Sequence, residues 1–274
     1  MDSKYSFFGI ISRSFKFFGK NLKGLFGAMF MPVFLQVTGC LVSLFPALYF
    51  THVQKPTTDM IPIFLLQLLL CLVFGLVLFC IGFWRYILLS CYFCLAANDF
   101  DDDKGFYIQI YKNNINKRQG EYVKTLLWPA LIMLLIIVAG VIVAHYFVMQ
   151  KTVMGSLFGA LSFLVAMIAL TIFSIKINLL VPIFAFEPDL KPLDVMKKSI
   201  NMVKLPQFFW LLAFSLVYWL ISVVIQFIIS FVAGMCTSDV LCLRIVDLIS
   251  TCIVLFLLPV NACMATLFYK KLTK

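Results

Sequence analysis

Charged side chains are scarce in this chain of 274 residues, because Asp, Glu, Lys and Arg make up only 12% of it. Soluble domains carry about 25% charged residues, and no soluble core of this length has room for a chain that is 63% hydrophobic. In lipid, every backbone amide must be bonded within a helix or a closed barrel. The apolar runs lack the alternation of barrel strands. The sequence therefore predicts an all-α, polytopic membrane protein.

Groups that carry out catalysis are also few, with two His and twelve Asp or Glu in the whole chain. General acid–base chemistry has little to work with here, and the sequence contains no phosphate-binding loop, H-E-x-x-H metal motif or G-x-S-x-G nucleophile motif. The acidic run at 99–103 does not match a calcium loop, because Lys104 stands where that loop needs Gly. We expect a protein that is not an enzyme and that holds no metal or cofactor.

Six apolar runs are long enough to cross a membrane, which takes roughly 20 residues. They lie at 25–50, 61–95, 125–149, 155–186, 207–235 and 243–269. The second and fourth runs are longer than a perpendicular span needs, so we expect these helices to tilt or to continue beyond the bilayer.

Basic residues alternate between the connections of these spans. The N-terminal segment, the loops 96–124 and 187–206 and the C-terminus together hold seventeen Lys or Arg, whereas the other three connections hold three. Since basic residues stay on the cytoplasmic side, both termini are predicted to be cytoplasmic, in a plasma membrane. The net charge of +10 then lies against anionic head groups and does not indicate nucleic acid as a partner.

Two basic segments have the pattern of an elbow helix, by which we mean an amphipathic helix that lies along the inner leaflet before a span. The first has an apolar stripe at Phe8, Ile11, Phe15, Phe18 and Leu22. The second has one at Leu193, Met196, Ile200 and Val203. Pro192 suits the first turn of the second helix, and Asp189 suits its cap. A weaker third copy lies at 105–122.

The elbow helices indicate a threefold repeat of one elbow helix followed by one helical hairpin. The units would be 1–98, 99–188 and 189–274 within a single integral membrane domain. Arg85 and Lys176 occupy matching places in the first two units, and the third unit has no counterpart.

Arg85 and Lys176 are the two cations inside spans, where a charge costs a few kcal/mol. They form either a cationic pair that grips a phosphate or carboxylate near the inner leaflet, or two side chains that extend to the head groups. Asn178 and Asn261 lie close to Pro182 and Pro259, which are expected to kink the fourth and sixth spans. These bends are the expected place for a polar, ligand-binding pocket.

Two further pairs lie towards the outer surface. Asp247 is placed to pair with Arg244 across one helical turn, with a proton or cation site as the alternative. Cys236 and Cys242 flank the last external connection and could form a disulfide in an oxidising compartment. The remaining cysteines are expected to act as small apolar residues.

One stretch resembles a known family. A Pro-containing span end at 180–182 leads to Glu187, then to Pro192-Leu193-Asp194-Val195 and Lys198-Ser199, and then to Phe208-Phe209-Trp210. This order is similar to YciC-like bacterial inner-membrane proteins and to the membrane domain of glycerophosphoryl diester phosphodiesterases. The resemblance implies a bacterial inner membrane and a link to lipids. It covers no catalytic domain and supplies no catalytic residues.

Three functions follow as hypotheses. The first is a protein that handles or organises lipid, or another amphipathic anionic ligand, near the inner leaflet. The second is a transporter or permease subunit for a small solute, which would need an ion gradient or a partner ATPase. The third is a scaffold or assembly subunit that binds other membrane subunits.

Overall fold

The computed structural model describes residues 6–52, 61–100, 115–150, 152–236, 246, 250 and 253–273, without the side chains at 44–45, 47–52, 61–64 and 236. Throughout these ranges the regular structure is helical and contains no β-strand, so the all-α prediction is confirmed. The helices are α1 (Phe7–Lys20), α2 (Leu22–His52), α3 (Ile61–Asn98), α4 (Gln119–Val148), α5 (Val153–Lys176), α6 (Leu180–Phe186), α7 (Pro192–Met202), α8 (Leu205–Cys236) and α9 (Leu258–Thr273).

Six stretches of the described chain are long and apolar enough to cross a membrane, as predicted. They are Leu22–Ser43, Leu65–Asn98, Gln119–Val148, Val153–Phe186, Leu205–Met235 and Ile253–Thr273. The protein therefore has the build of a multi-pass membrane protein.

Four of these helices share a zone in which large apolar side chains stand exposed. We call it the apolar belt, and it comprises 65–83 of α3, 127–148 of α4, 153–172 of α5 and 216–235 of α8. At 1.5 Å per residue, each stretch is about 28 to 33 Å long, which matches a hydrocarbon layer of about 30 Å. The remainder of α3 continues past the belt, as the length of the second run predicts.

The buried core lies beyond the belt, at the end of the molecule where the basic segments meet. This basic-end core combines α1, the start of α2, the last part of α3, α6, α7, α9 and the first turns of α4 and α8. Its largest fully buried side chains include Phe17, Phe93, Tyr122, Phe184 and Phe268. Because α1 packs against α9, the first and last described helices lie at the same end of the molecule.

Along the length of the belt, α3 pairs with the neighbouring α2, and α4 pairs with α5, which gives two hairpins. Glycines allow the closest approaches. A Cβ at Gly39 would lie 2.5 Å from the Gly75 carbonyl oxygen, and one at Gly140 would lie 2.5 Å from the Ala166 Cβ. Small residues at such crossings are how helices pack in lipid, where apolar packing competes with lipid tails.

The fourth and sixth spans are interrupted. The first break separates α5 from α6 at 177–179, and the second is a turn at 256–257 just before α9. The sequence predicts that Pro182 and Pro259 kink continuous helices. Instead, each proline lies in the first turn of the helix that begins after the break. The break comes just before each proline because a first turn does not need the missing N–H.

A hydroxyl group from another helix caps the backbone at each break. Ser199 of α7 donates to the Lys176 carbonyl oxygen over 2.8 Å, and Tyr86 of α3 donates to the Leu255 carbonyl oxygen over 3.1 Å. Carbonyls released from a helix in an apolar setting need such partners, so these bonds stabilise both breaks.

Both elbow helices with a complete pattern are present, as α1 and α7. Of the predicted stripe, Met196 of α7 and Val203 just after it are buried in the protein, and Pro192 occupies the first turn. Asp189 does not cap α7, because the helix begins three residues later, at Pro192, with Lys191 as its N-cap residue and no side-chain cap. The third copy falls largely at 105–114, outside the described residues.

The predicted apolar stripe of α1 is only partly covered: Phe8 is 80% accessible and Phe15 and Leu22 are exposed, whereas Ile11 and Phe18 are half-buried against the core. The face that packs on α9 carries Ile10, Ser14 and Phe17 instead. These faces are neighbouring arcs of one helix at 100° per residue. One arc meets protein, and the other is left for lipid.

Candidate functional site

A cavity of about 610 Å³ lies where the apolar belt meets the basic-end core. Its walls come from α3, α4, the segment from the first break into α6, and the start of α9. The lining is almost entirely apolar, and no charged residue occurs among the described residues that form it. This size falls in the range of about 300 to 1,000 Å³ that is typical of small-molecule sites.

Exposed lining residues of α3 and α4 mark the mouth of the cavity on its belt side. At this mouth, Phe83 of α3 is 46% exposed, and Val123 and Leu127 of α4 are exposed as well. At the inner end, Tyr122 and Ala262 are buried. A molecule in the apolar belt could therefore enter without crossing the basic-end core.

Asn178 and Asn261 line the same cavity. Asn178 lies in the break between α5 and α6, and Asn261 lies in the first turn of α9. Both are half-buried, and neither side-chain amide has a hydrogen-bond partner within the described part of the chain. The structure thus brings together the two asparagines that the sequence pattern placed near a pocket.

Two hydroxyl groups add to the polar part of the lining, which also includes the indole N–H of Trp84. The Ser90 Oγ and the Tyr122 Oη lie 2.9 Å apart, and Ser90 Oγ also donates to the Ile87 carbonyl oxygen over 2.6 Å. The Tyr122 ring packs on Phe184 of α6, with 4.9 Å between ring centres. Sequence reasoning missed Ser90 and Tyr122, because no pattern relates a serine in one span to a tyrosine in the next.

Arg118 joins the start of α4 to α6 outside the cavity. Its Nη1 donates to the Phe184 carbonyl oxygen over 3.2 Å, and its Cζ lies 4.3 Å from the centre of the Phe184 ring. Its Nε bonds to Glu121 over 3.2 Å. The buried Nη2 has no hydrogen-bond partner among the described residues. The guanidinium thus supports the Tyr122–Phe184 pair from the basic end.

Arg13 makes the corresponding contact in the first predicted unit. It donates to the Phe100 carbonyl oxygen over 3.1 Å, and its Cζ lies 5.9 Å from the Phe100 ring centre. In both cases, an arginine of an elbow segment donates to a backbone carbonyl oxygen that lies past the second helix of its own hairpin. The threefold repeat stays a prediction, and this correspondence is the observation in its favour.

Glu187 connects α6, α7 and α9. Lys198 donates to its two carboxylate oxygens over 2.7 and 2.5 Å, and Tyr269 donates to Oε1. Partial burial raises the pKa of Glu187, but the hydrogen bonds from Lys198 and Tyr269 and the lysine charge outweigh it, so the pKa is lowered overall. A carboxylate that accepts several such bonds is stabilised in its ionised form.

The predicted cation pair lies elsewhere. Arg85 is exposed on α3, two residues past the belt, and Lys176 is half-buried four residues past the belt of α5. Neither residue lines the cavity. Both positions are the edge of the belt, where long basic side chains reach the head groups. Their role in ligand binding stays a prediction.

Other predicted residues are buried or undescribed. Cys91 and Cys94 are buried free thiols, and Cys94 lines the inner end of the cavity. Arg244, Asp247, Cys242 and the side chain of Cys236 lie outside the described residues, so the ion pair and the disulfide stay predictions. No group of three metal-binding side chains occurs in the described ranges.

No protein-family model, curated protein or solved structure matches this chain. The resemblance to YciC-like proteins and to the phosphodiesterase membrane domain therefore stays a prediction from the residues that carry it. What is established is a multi-pass membrane architecture with a laterally open cavity at the edge of its apolar belt.

Proposed function

We propose that this protein binds an amphipathic, lipid-like molecule that enters from the leaflet next to the basic end. The observation that carries the proposal is the cavity itself: an apolar chamber, open towards the belt, with the unpartnered amides of Asn178 and Asn261 in its wall. The chain would hold one part of the molecule among its helices while the rest stays in lipid.

Physical chemistry supports a ligand with both polar and apolar parts. An amide in an apolar setting without a hydrogen bond costs about 1 to 3 kcal/mol on the scale of protein mutations, and a bound polar group removes that cost. The apolar lining at Phe83, Leu126 and Leu127 would contact acyl or prenyl chains. Water alone could satisfy the amides but would gain nothing from these walls.

The test is to fill the cavity. Ala130→Trp places a large ring at a lining position on α4, and Ala139→Trp places the same ring on an exposed position of that helix away from the cavity. Native mass spectrometry of the purified proteins should show a bound lipid in wild type and in Ala139→Trp, and its loss in Ala130→Trp. Equal retention in both variants, or only bulk lipid in all three proteins, would contradict the proposal.

A second candidate is movement of such a molecule across the membrane. The interruptions at 177–179 and 256–257 favour it, because broken spans beside a binding site are a feature of many transporters. Proteoliposomes with a fluorescent lipid in both leaflets, bleached from outside, test this directly. Transport predicts bleaching beyond half of the signal, whereas binding alone leaves the inner half intact.

Location and orientation complete the proposal. The basic end would face the cytoplasm of a bacterial cell, in the inner membrane, because Lys and Arg are retained on that side. The protein would act without catalysis, with membrane lipids as its partners. A green fluorescent protein fused to the C-terminus should fluoresce, and alkaline phosphatase fused there should be inactive; the opposite pair of results would reverse the orientation.

A further inference from the structure

The residues that line the cavity limit the chemical class of ligand that it can bind. The described lining residues carry no charge. Their polar groups are two side-chain amides, the hydroxyls of Ser90 and Tyr122 and the indole N–H of Trp84, together with the weakly polar thiols of Cys80 and Cys94. We infer that the ligand's polar head is uncharged and bears hydroxyl or carbonyl groups, as in a diacylglycerol or a prenyl alcohol. This inference rests on the proposed function and replaces the anionic head expected from sequence.

The hydrogen-bonding capacity of the site fits such a head. An asparagine amide offers both donors and an acceptor, and those of Asn178 and Asn261 are unpartnered. The Ser90 hydroxyl donates to Ile87, so the remaining capacity of the Ser90–Tyr122 pair is mainly that of an acceptor. A ligand carbonyl would accept from an amide, and a ligand hydroxyl would donate to an amide or hydroxyl oxygen.

A charged head would lack a partner here. An ion taken from water costs several kcal/mol unless it is paired and fully hydrogen-bonded. Arg85 and Lys176 do not line the cavity, and Arg118 bonds to Phe184 and Glu121 outside it. The cations lie at the rim of the belt and along the basic end, where they meet anionic head groups of bulk lipid.

Trp84 provides a direct probe, because it lines the cavity. The full-length protein is reconstituted in phosphatidylcholine vesicles, and the Trp84 signal is taken as the difference between wild type and Trp84→Phe. Bromine on an acyl chain quenches a tryptophan that it touches. The vesicles receive equal mole fractions of brominated diacylglycerol or brominated phosphatidylglycerol, with brominated phosphatidylcholine as the baseline for contact with bulk lipid.

We expect diacylglycerol to reach half of its maximal quenching at a mole fraction about tenfold lower than phosphatidylglycerol, the ratio that corresponds to 1.4 kcal/mol. Asn178→Ala with Asn261→Ala should remove this preference. Asn201→Ala, on the exposed face of α7, should keep it.

Each other outcome overturns a defined statement. Stronger quenching by phosphatidylglycerol would overturn the uncharged head and leave lipid binding in place. A diacylglycerol preference that persists in the double asparagine variant would overturn the role of the amides. If neither lipid exceeds the phosphatidylcholine baseline, and no lipid is seen by native mass spectrometry, the proposed function fails as well.

Discussion

The basic-end core and the apolar belt differ in how they accommodate a phenylalanine side chain. Phe268 of α9, in the basic-end core, is 1% exposed and packs on Trp210 and Phe214, whereas Phe227 of α8, in the belt, is 68% exposed. Lipid tails are as apolar as a phenylalanine ring, so a belt side chain gains little by packing on protein. The core holds the helices in one arrangement, and the belt sets the depth of the protein in the bilayer.

The largest expected effect comes from emptying the core. Phe268→Ala should lower the free energy of unfolding by about 3 to 5 kcal/mol, as is typical of a buried aromatic truncation. Phe227→Ala should change it by less than about 0.5 kcal/mol. Thermal unfolding of both variants in the same detergent measures this difference in stability. An equal fall of the two melting temperatures would contradict the proposed difference between core and belt.

Where α2 crosses α3, the helices are in close contact beside the belt. A substitution there should therefore destabilise the protein, as a substitution in the core does. Gly39→Val on α2 would bring a side chain against the Gly75 carbonyl oxygen and the Phe79 amide nitrogen, and we expect a loss of about 1 to 3 kcal/mol from overpacking. Gly27→Val is the matched control, because a Cβ there meets nothing within 4 Å. Equal melting temperatures for the two variants would mean that α2 and α3 separate at no cost.

Glu187 is expected to make a smaller, pH-dependent contribution to the stability of the core. Because its pKa is lower in the native state, its stabilisation is complete above the unfolded pKa of about 4.3 and is lost as the pH falls through the native pKa. Lys198 is 40% exposed, so water screens the pair and the effect should be no more than about 1 kcal/mol.

The measurement is the difference in melting temperature between wild type and Glu187→Gln. Wild type should be the more stable at pH 7, and the difference should shrink below the unfolded pKa. A difference that stays constant down to pH 3 would assign it to hydrogen-bond geometry instead of charge.

The smallest effect is expected at the rim of the belt. Arg85→Ala combined with Lys176→Ala should leave Trp84 quenching by brominated diacylglycerol within error of wild type, because neither residue lines the cavity. A loss of quenching comparable to that in the double asparagine variant would instead support the prediction from sequence, in which Arg85 and Lys176 bind an anionic ligand.

The spans could be predicted from sequence because a long apolar run has few alternatives in lipid. The buried face of α1 could not be predicted from sequence in this way. Its buried stripe includes Ser14 and Asn21, which look unsuited to a core. Each one donates to the carbonyl oxygen one turn earlier, Ser14 to Ile10 and Asn21 to Phe17, so burial leaves these donors satisfied. Periodicity also cannot tell a face that meets protein from one that meets lipid, since both are apolar.

The site was predictable in part for a similar reason. Asn178 and Asn261 are noticeable because each lies beside a proline in an apolar run. The wall from α4 is different, since Val123, Leu127 and Ala130 read as ordinary lipid-facing residues. They line a cavity only because α4 stands away from α3 beyond the Ser90–Tyr122 contact, and that separation is a property of tertiary packing.

The packing of α1 on α9 has a consequence for synthesis on the ribosome. The hairpins α2–α3 and α4–α5 join neighbours in the chain and can form as each pair is inserted, since nearby segments close at low entropic cost. The first elbow helix can reach Phe100 earlier, but its packing on α9 must wait until residues 258–273 are made. A ribosome stalled before Leu258 should thus hold inserted hairpins with α1 less protected from protease than in the full chain, and full protection should come only with the last span.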